Sequence, residues 1–253
     1  MLNIWLYSLL SVFIISLISL IGIISLSIKS RKLQDYLLYL VSFSAGALLG
    51  DAFIHLFPEI VEEFGLSLEI SIAVLIGIIL FFIIEKIIHW RHCHILDKKG
   101  SHEKEHKPFA IINLIGDAFH NFLDGIIIGA AYLINIPAGI ATTIAVALHE
   151  IPQEIGDFAV LLHGGFTKTR ALFMNFLTAL SAILGVILVL IASNLIENLS
   201  KYLVPLAIGG FLYIAGADLI PELHKETTPK KSIVQLLFFI LGILVMMALL
   251  LLE

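Results

Sequence analysis

The chain has 253 residues, of which 59% are hydrophobic and 14% charged, with a formal net charge of −5 and a single cysteine. Its mean hydropathy is +1.04, and a soluble domain carries about 25% charged residues, so the composition excludes a soluble globular enzyme and leaves no basic surface for nucleic acid. Long apolar runs without period-two alternation argue against a β-barrel, and one cysteine, Cys93, excludes an internal disulfide.

The expected architecture is all-α and polytopic. A helix needs about 20 apolar residues to cross a bilayer, and the pattern predicts eight spans, over residues 2–28, 37–60, 67–90, 108–134, 138–163, 169–194, 199–221 and 232–252. The first shows no small-residue cleavage site and reads as a retained span. All but one of the 15 Lys and Arg residues fall on one side of this layout, the exception being Lys201. By the positive-inside rule that side is cytoplasmic. Both termini are then extracytoplasmic, and segment 91–107 is a cytoplasmic loop bearing His92, His94, His102 and His106. Clustered His can bind metal, but this spacing fits no structural zinc motif.

The second span contains SAGALLGDAFIHLFPE and the seventh AIGGFLYIAGADLIPE. The two run in opposite directions, are rich in small residues, carry acids and end in Pro-Glu. Spans four and five form another opposed pair, so inverted repeats are expected, a common plan of secondary transporters.

Two stretches carry the chemistry: HNFLDG at 120–125 and HEIPQE at 149–154. Ionisable groups inside a membrane are costly and mark paths for ions or protons. At ~1.5 Å per residue, His120 and His149 each lie ~17 Å deep, near the bilayer midplane. The loop between the two spans is short, so the helices are expected to be antiparallel neighbours. The fourth span offers Asp117, His120, Asn121 and Asp124 on one face, and the fifth offers His149, Glu150, Gln153, Glu154 and Asp157. Imidazole with carboxylate and amide oxygen is a ligand set for a first-row transition metal. There is enough of it for two adjacent metals or a relay. Pro152 cannot donate to the carbonyl of Leu148, which is therefore free for an ion, water or another donor. Gly116, Gly125, Gly129 and Gly156 are expected to allow close helix approach. Without metal chemistry, the same polar groups would serve as helix–helix glue.

The two motifs, HNFLDG and HEIPQEIGDFAVLL, resemble the fourth- and fifth-helix signatures of the ZIP (Zrt/Irt-like) divalent metal transporters. The similarity extends to GDAFIHLFPE, to GGFLYIAGADLIPEL and to the His-bearing loop. The resemblance implies import of divalent metal, mainly zinc, into the cytoplasm through a centre between the fourth and fifth helices. It places His120, Asn121, Asp124, His149, Glu150 and Gln153 at the ligand positions, with Glu154 beside them. It further implies elevator-like movement of a helix bundle, homodimer formation and multi-pass residence in the cell membrane, in contact with the lipid bilayer. The nearest subgroup has a second His where this chain has Gln153. An amide is a poorer zinc ligand than imidazole, which opens the site to Fe²⁺, Mn²⁺ or Cd²⁺ as alternatives to Zn²⁺. The chain is expected to be a minimal member of prokaryotic type.

Flanking residues extend a transport path. Asp51, His55 and Glu59 share one face of the second span, with Glu62 and Glu63 at the outer mouth; Asp157, Asp218 and Glu222 lead to the cytoplasmic side. Two other functions compete with import. HEIPQ invites comparison with the zinc-protease H-E-x-x-H, but Gln153 replaces the second His and Pro152 interrupts the motif. An exporter or metal-gated channel would use the same ligands.

Overall fold

The computed structural model describes residues 2–22, 30–95 and 108–252, with 30–37, 87–95, 108, 109, 112, 163 and 252 described by backbone alone. Among the described residues the chain is helical throughout, without strands. The first span is α1, Leu2–Ile18. The second is α2, Ser30–Gly50, continued by a π-helical segment, Asp51–Leu56, into α3, Phe57–Phe64. The third to fifth are α4, Leu68–Ile95; α5, Pro108–Ile134; and α6, Ile136–His163. The sixth is α7, Lys168–Ala179, with α8, Ser181–Ala192. The seventh is α9, Ser200–Tyr213, a second π-helical segment, Ile214–Leu219, and α10, Ile220–Leu223. The last is α11, Pro229–Leu249.

Seven of these spans are long and apolar enough to cross a membrane. The eighth, α6, has the length, but His149, Glu150, Gln153 and Glu154 make it more polar than the rest. The protein is a multi-pass helical membrane protein.

Element boundaries follow local chemistry. Asn135 alone separates α5 from α6: its side chain accepts from the Ala138 N–H at 2.7 Å, and Pro137 occupies the first turn. The segment NIPAG is thus mostly helix. Gly65, at φ 75°, ends α3. Each π-helical segment lies just upstream of a proline, Pro58 and Pro221. Proline lacks the N–H for a normal i→i−4 bond and crowds the carbonyl four residues back, so the preceding turn widens.

The same π-then-proline feature in the two opposed spans extends their sequence likeness into backbone geometry. Residues 38–59 correspond to 201–222 at a constant offset. The helix pairing follows the same relation: α2 packs on α11 as α9 packs on α4. Each crossing is made at a reciprocal glycine pair. A Cβ on Gly46 would lie 2.0 Å from the Phe239 carbonyl oxygen, and one on Gly242 would lie 2.2 Å from that of Phe43. Gly77 and Gly209 repeat this against Leu206 and Val74, at 2.3 and 2.2 Å. Small residues let backbones approach where lipid supplies no hydrophobic drive between helices.

Two bundles result. Spans two, three, seven and eight form one. The other comprises α1, α5, α6 and α7–α8, in which α5 crosses α8 at Gly125 and Gly185. Gly129 approaches Val189, but a Cβ on Gly156 would meet nothing within 4 Å, so Gly156 is not a crossing residue. Buried hydroxyls add polar links within this bundle. Ser11 Oγ and Tyr132 Oη are 2.8 Å apart, and Ser181 Oγ donates to the Ala118 carbonyl at 2.6 Å.

Candidate metal centre

Because α5 and α6 are antiparallel and joined at one residue, His120 and His149 stand at the same depth. Four ligand atoms from these two helices converge: one each from His120, Asp124, His149 and Glu150 lie within 4.8 Å of one another. The two Nε2 atoms are 3.2 Å apart. Asp124 Oδ2 lies 3.3 Å from His149 Nε2 and 3.7 Å from His120 Nε2, and Glu150 Oε1 is 3.5 Å from both. Three of the four side chains are 1% exposed, whereas His120 is 21% exposed.

No oxygen of Asp124 or Glu150 accepts a hydrogen bond. Two buried carboxylates without donors are costly. His149 Nδ1 lies 3.4 Å from the Ala145 carbonyl; with the proton on Nδ1, the Nε2 lone pair faces the cluster. Two imidazole nitrogens and two carboxylates form an N₂O₂ donor set suited to a tetrahedral Zn²⁺ ion, whose charge would compensate both acids.

The other expected ligands face elsewhere. Asn121 donates to the Asp117 backbone and side chain, at 3.1 and 2.8 Å. Gln153 lines both cavities that meet at His120. Asp117 accepts in addition from Thr178. The Glu154 side chain accepts from Asn175 Nδ2 at 3.0 Å. Asp157 accepts from Asn113 at 2.8 Å.

Toward the Glu59 end of the second span, Thr142 donates to Asp51 at 2.9 Å, and His55 Nε2 is 2.8 Å from the Met246 carbonyl. Glu59 is half-buried, and Glu62 and Glu63 are exposed. The Leu148 carbonyl freed by Pro152 takes its donor from across the bundle boundary, where Ser44 Oγ lies at 2.6 Å. Glu222 is exposed and paired with Lys225. His102 and His106 lie outside the described residues, as do the side chains of His92 and His94.

Two cavities meet at His120. One, of about 450 Å³, is lined among others by Glu85, Asn113, Asp117, Gln153, Asp157 and Asp218. The other, of about 440 Å³, runs past His149, Pro152, Gln153 and Asp218 to Glu222. Both reach into the half of the protein that carries the 91–107 loop. Asp51, His55 and Glu59 line neither. Sequence reasoning missed Asn113, Thr142, Asn175, Thr178 and Glu85, the last held by the Tyr213 hydroxyl. A polar residue amid apolar neighbours, as in FMNFLTAL, was the available signal.

A multi-pass helical protein with a largely buried His₂-carboxylate₂ cluster between antiparallel helices is, as a class, a membrane protein with a group able to hold a transition-metal ion. The chain matches the profile of the family described as ZIP Zinc transporter over residues 2–108 and 89–250. It is 35% identical to zinc transporter ZIP13 of Pongo abelii over 225 residues, covering 83% of this chain and 66% of that protein. It is 32% identical to the zinc transporter ZIP13 homolog of Drosophila melanogaster, covering 82% and 75%. It is 31% identical to zinc transporter ZIP13 of Homo sapiens, covering 82% and 69%. The chain thus spans about two thirds to three quarters of the length of these relatives. It belongs to the ZIP zinc transporter family, a family of transporters rather than enzymes.

Proposed function

We propose that the protein imports divalent transition metal, zinc foremost, into the cytoplasm of the cell whose membrane it spans. The observation that carries this reading is the cluster of His120, Asp124, His149 and Glu150, whose buried carboxylate oxygens have no hydrogen-bond donor. Zinc is the cargo that its nitrogen and oxygen donors suit.

The ion is drawn to Glu59, Glu62 and Glu63, passes Asp51 and His55, and exchanges its water for the four central ligands. It leaves along the two cavities by Gln153, Asp157, Asp218 and Glu222. On the outer half of this route Asp51 is bonded to Thr142 and His55 to the Met246 carbonyl, contacts that must open for the ion to pass. The cavities reach the centre from the side that the Lys and Arg distribution makes cytoplasmic. Asp51–Thr142 and Ser44–Leu148 both join the second span to the fifth, across the boundary between the two bundles. Sliding the α1, α5, α6, α7–α8 bundle against the other breaks these contacts and exposes the centre to the opposite side, an elevator-like cycle.

Asn121, Gln153 and Glu154 act around the ion rather than on it. The Gln153 side chain lines both exit cavities. The test is metal uptake into proteoliposomes containing the purified protein, with Zn²⁺, Fe²⁺, Mn²⁺ and Cd²⁺ compared and His149→Ala as control. Inward flux that vanishes in the variant is the expected result. Tight binding at these residues without flux overturns transport, and flux only out of the oriented cytoplasmic compartment overturns import.

A further inference from the structure

The two equivalent glycine crossings differ in what fills the space beside them, and the difference points to a lipid. The paired helices run parallel and come closest at their glycines. At the α2/α11 crossing, the wedge toward the helix starts is plugged by aromatic rings: Tyr39 stacks on Phe238 with centroids 5.4 Å apart at 22°. The matching wedge at α4/α9 keeps the tyrosine, as Tyr202, but has Ala73 at the position of Phe238. There a groove of about 350 Å³ opens, lined by Glu69, Ile70, Ile72, Ala73, Ile76, Lys201 and Tyr202.

Its rim is charged where the other is apolar. Lys201 and Glu69 occupy the positions of Leu38 and Val234. Each stands eight residues before its crossing glycine, so the rim lies ~12 Å from the crossing at ~1.5 Å per residue. Lys201 Nζ and Glu69 Oε2 are 2.9 Å apart across the gap. Lys201, the single cation on the face read as extracytoplasmic, also stands 6.0 Å over the Tyr202 ring. An apolar slot roughly a dozen ångströms deep beneath an adjacent cation, anion and tyrosine matches one amphiphile.

We infer that the α4/α9 wedge binds a glycerophospholipid of the extracytoplasmic leaflet. An acyl chain lies over Ala73 and Ile76, the phosphate on Lys201 and Tyr202, and a headgroup amine on Glu69. The occupant is a phosphatidylethanolamine-like lipid, since a zwitterion that opens the Lys201–Glu69 pair gives each member a new partner, whereas an anionic headgroup taking Lys201 leaves Glu69 without one. This rests on the membrane orientation above but on no property of the metal centre.

The experiment is native mass spectrometry of the purified, metal-free protein with added phosphatidylethanolamine, phosphatidylglycerol or phosphatidylcholine. The wild type is expected to retain one phosphatidylethanolamine about tenfold more strongly than the others, the size of one charge-assisted hydrogen bond. Ala73→Phe, which restores the ring present in the other wedge, is expected to abolish that retention. Glu69→Gln, a rim change that leaves the slot intact, is expected to erase the preference over phosphatidylglycerol. Equal retention of all three lipids by the wild type overturns the proposal, as does unchanged retention in Ala73→Phe. Conversion of the protein between oligomeric states by Ala73→Phe, without change in lipid, assigns the wedge to a second copy instead. If Ala73→Phe fails to fold, an unchanged headgroup preference in Glu69→Gln overturns the proposal on its own.

Discussion

Two groups of buried acids lie side by side in the bundle of α1, α5, α6 and α7–α8, and they are treated differently. Asp117, Glu154 and Asp157 each have an Asn or Thr aimed at them, from Asn121 and Thr178, Asn175, and Asn113 respectively. Asp124 and Glu150, one or two turns away, accept hydrogen bonds at none of their four oxygens. In a protein interior a carboxylate is compensated by donors or by a cation. Each member of the first group has at least one side-chain donor, although Asp157 Oδ2 has none. On the proposed function the second is completed by the ion, and the contrast then divides acids that shape the path from acids that hold the cargo.

That contrast breaks most readily at the centre. His149→Ala and Glu150→Ala are each expected to lower zinc uptake beyond the roughly 10- to 100-fold typical of residues that only support a ligand. Purified variants should also lose zinc binding in calorimetry while keeping their helical content. Wild-type uptake in Glu150→Ala would return that acid to the supporting group. Acid should act in the same direction. A proton on an imidazole or carboxylate displaces the metal, so zinc uptake measured from about pH 7.5 to about pH 5.5 should fall monotonically.

The donor-held acids should respond more gently. Asn175→Leu removes the amide from Glu154 without touching the four central residues. Uptake is expected to fall by about tenfold, in the manner of outer-shell changes, with zinc affinity at the centre nearly unchanged. A loss as deep as that of His149→Ala would show that Glu154 binds the ion itself.

Much of this was legible in the sequence because the membrane makes the chemistry sparse. His120 and His149 stood out as ionisable groups at matched depth, and a one-face reading placed Asp124 and Glu150 beside them. The sequence likeness of spans two and seven anticipated a shared geometry, though not that both contain a π-helical turn before proline. What spacing does not carry is side-chain direction. Asn121 and Glu154 lie on the expected faces, yet their rotamers serve Asp117 and Asn175. Asn175 and Thr178 come from α7, whose apolar pattern gave no reason to bring it to the site. Gly156 looked like Gly125, but only Gly125 faces another backbone.

A smaller effect is expected at Gln153, which lines both cavities beside His120. Gln153→His puts a softer nitrogen donor at the start of the exit route. Competition uptake should show zinc gaining a few-fold over Mn²⁺, since imidazole favours zinc and amide oxygen the harder ion. An unchanged ratio would show that selectivity is set wholly by His120, Asp124, His149 and Glu150.

The smallest effect concerns the seam between the bundles and is one of stability. Pro152 leaves the Leu148 carbonyl without a helical donor, and Ser44 supplies one from α2 at 2.6 Å. Ser44→Ala therefore strands a buried carbonyl, at a cost of about 1–3 kcal/mol. Pro152→Ala restores an N–H to α6, and in that background the carbonyl already has a partner. Ser44→Ala should then cost little, and a double-mutant cycle on thermal unfolding in detergent should give a coupling of about 1 kcal/mol. Additive effects would mean that Ser44 is held by its own second bond, to the Leu40 carbonyl at 2.8 Å, and that proline and serine are unrelated. Coupling would mean that the helix break beside the metal centre is stabilised by the opposite bundle in this conformation. Moving that bundle away then exposes the Leu148 oxygen to the ion path, one residue before His149.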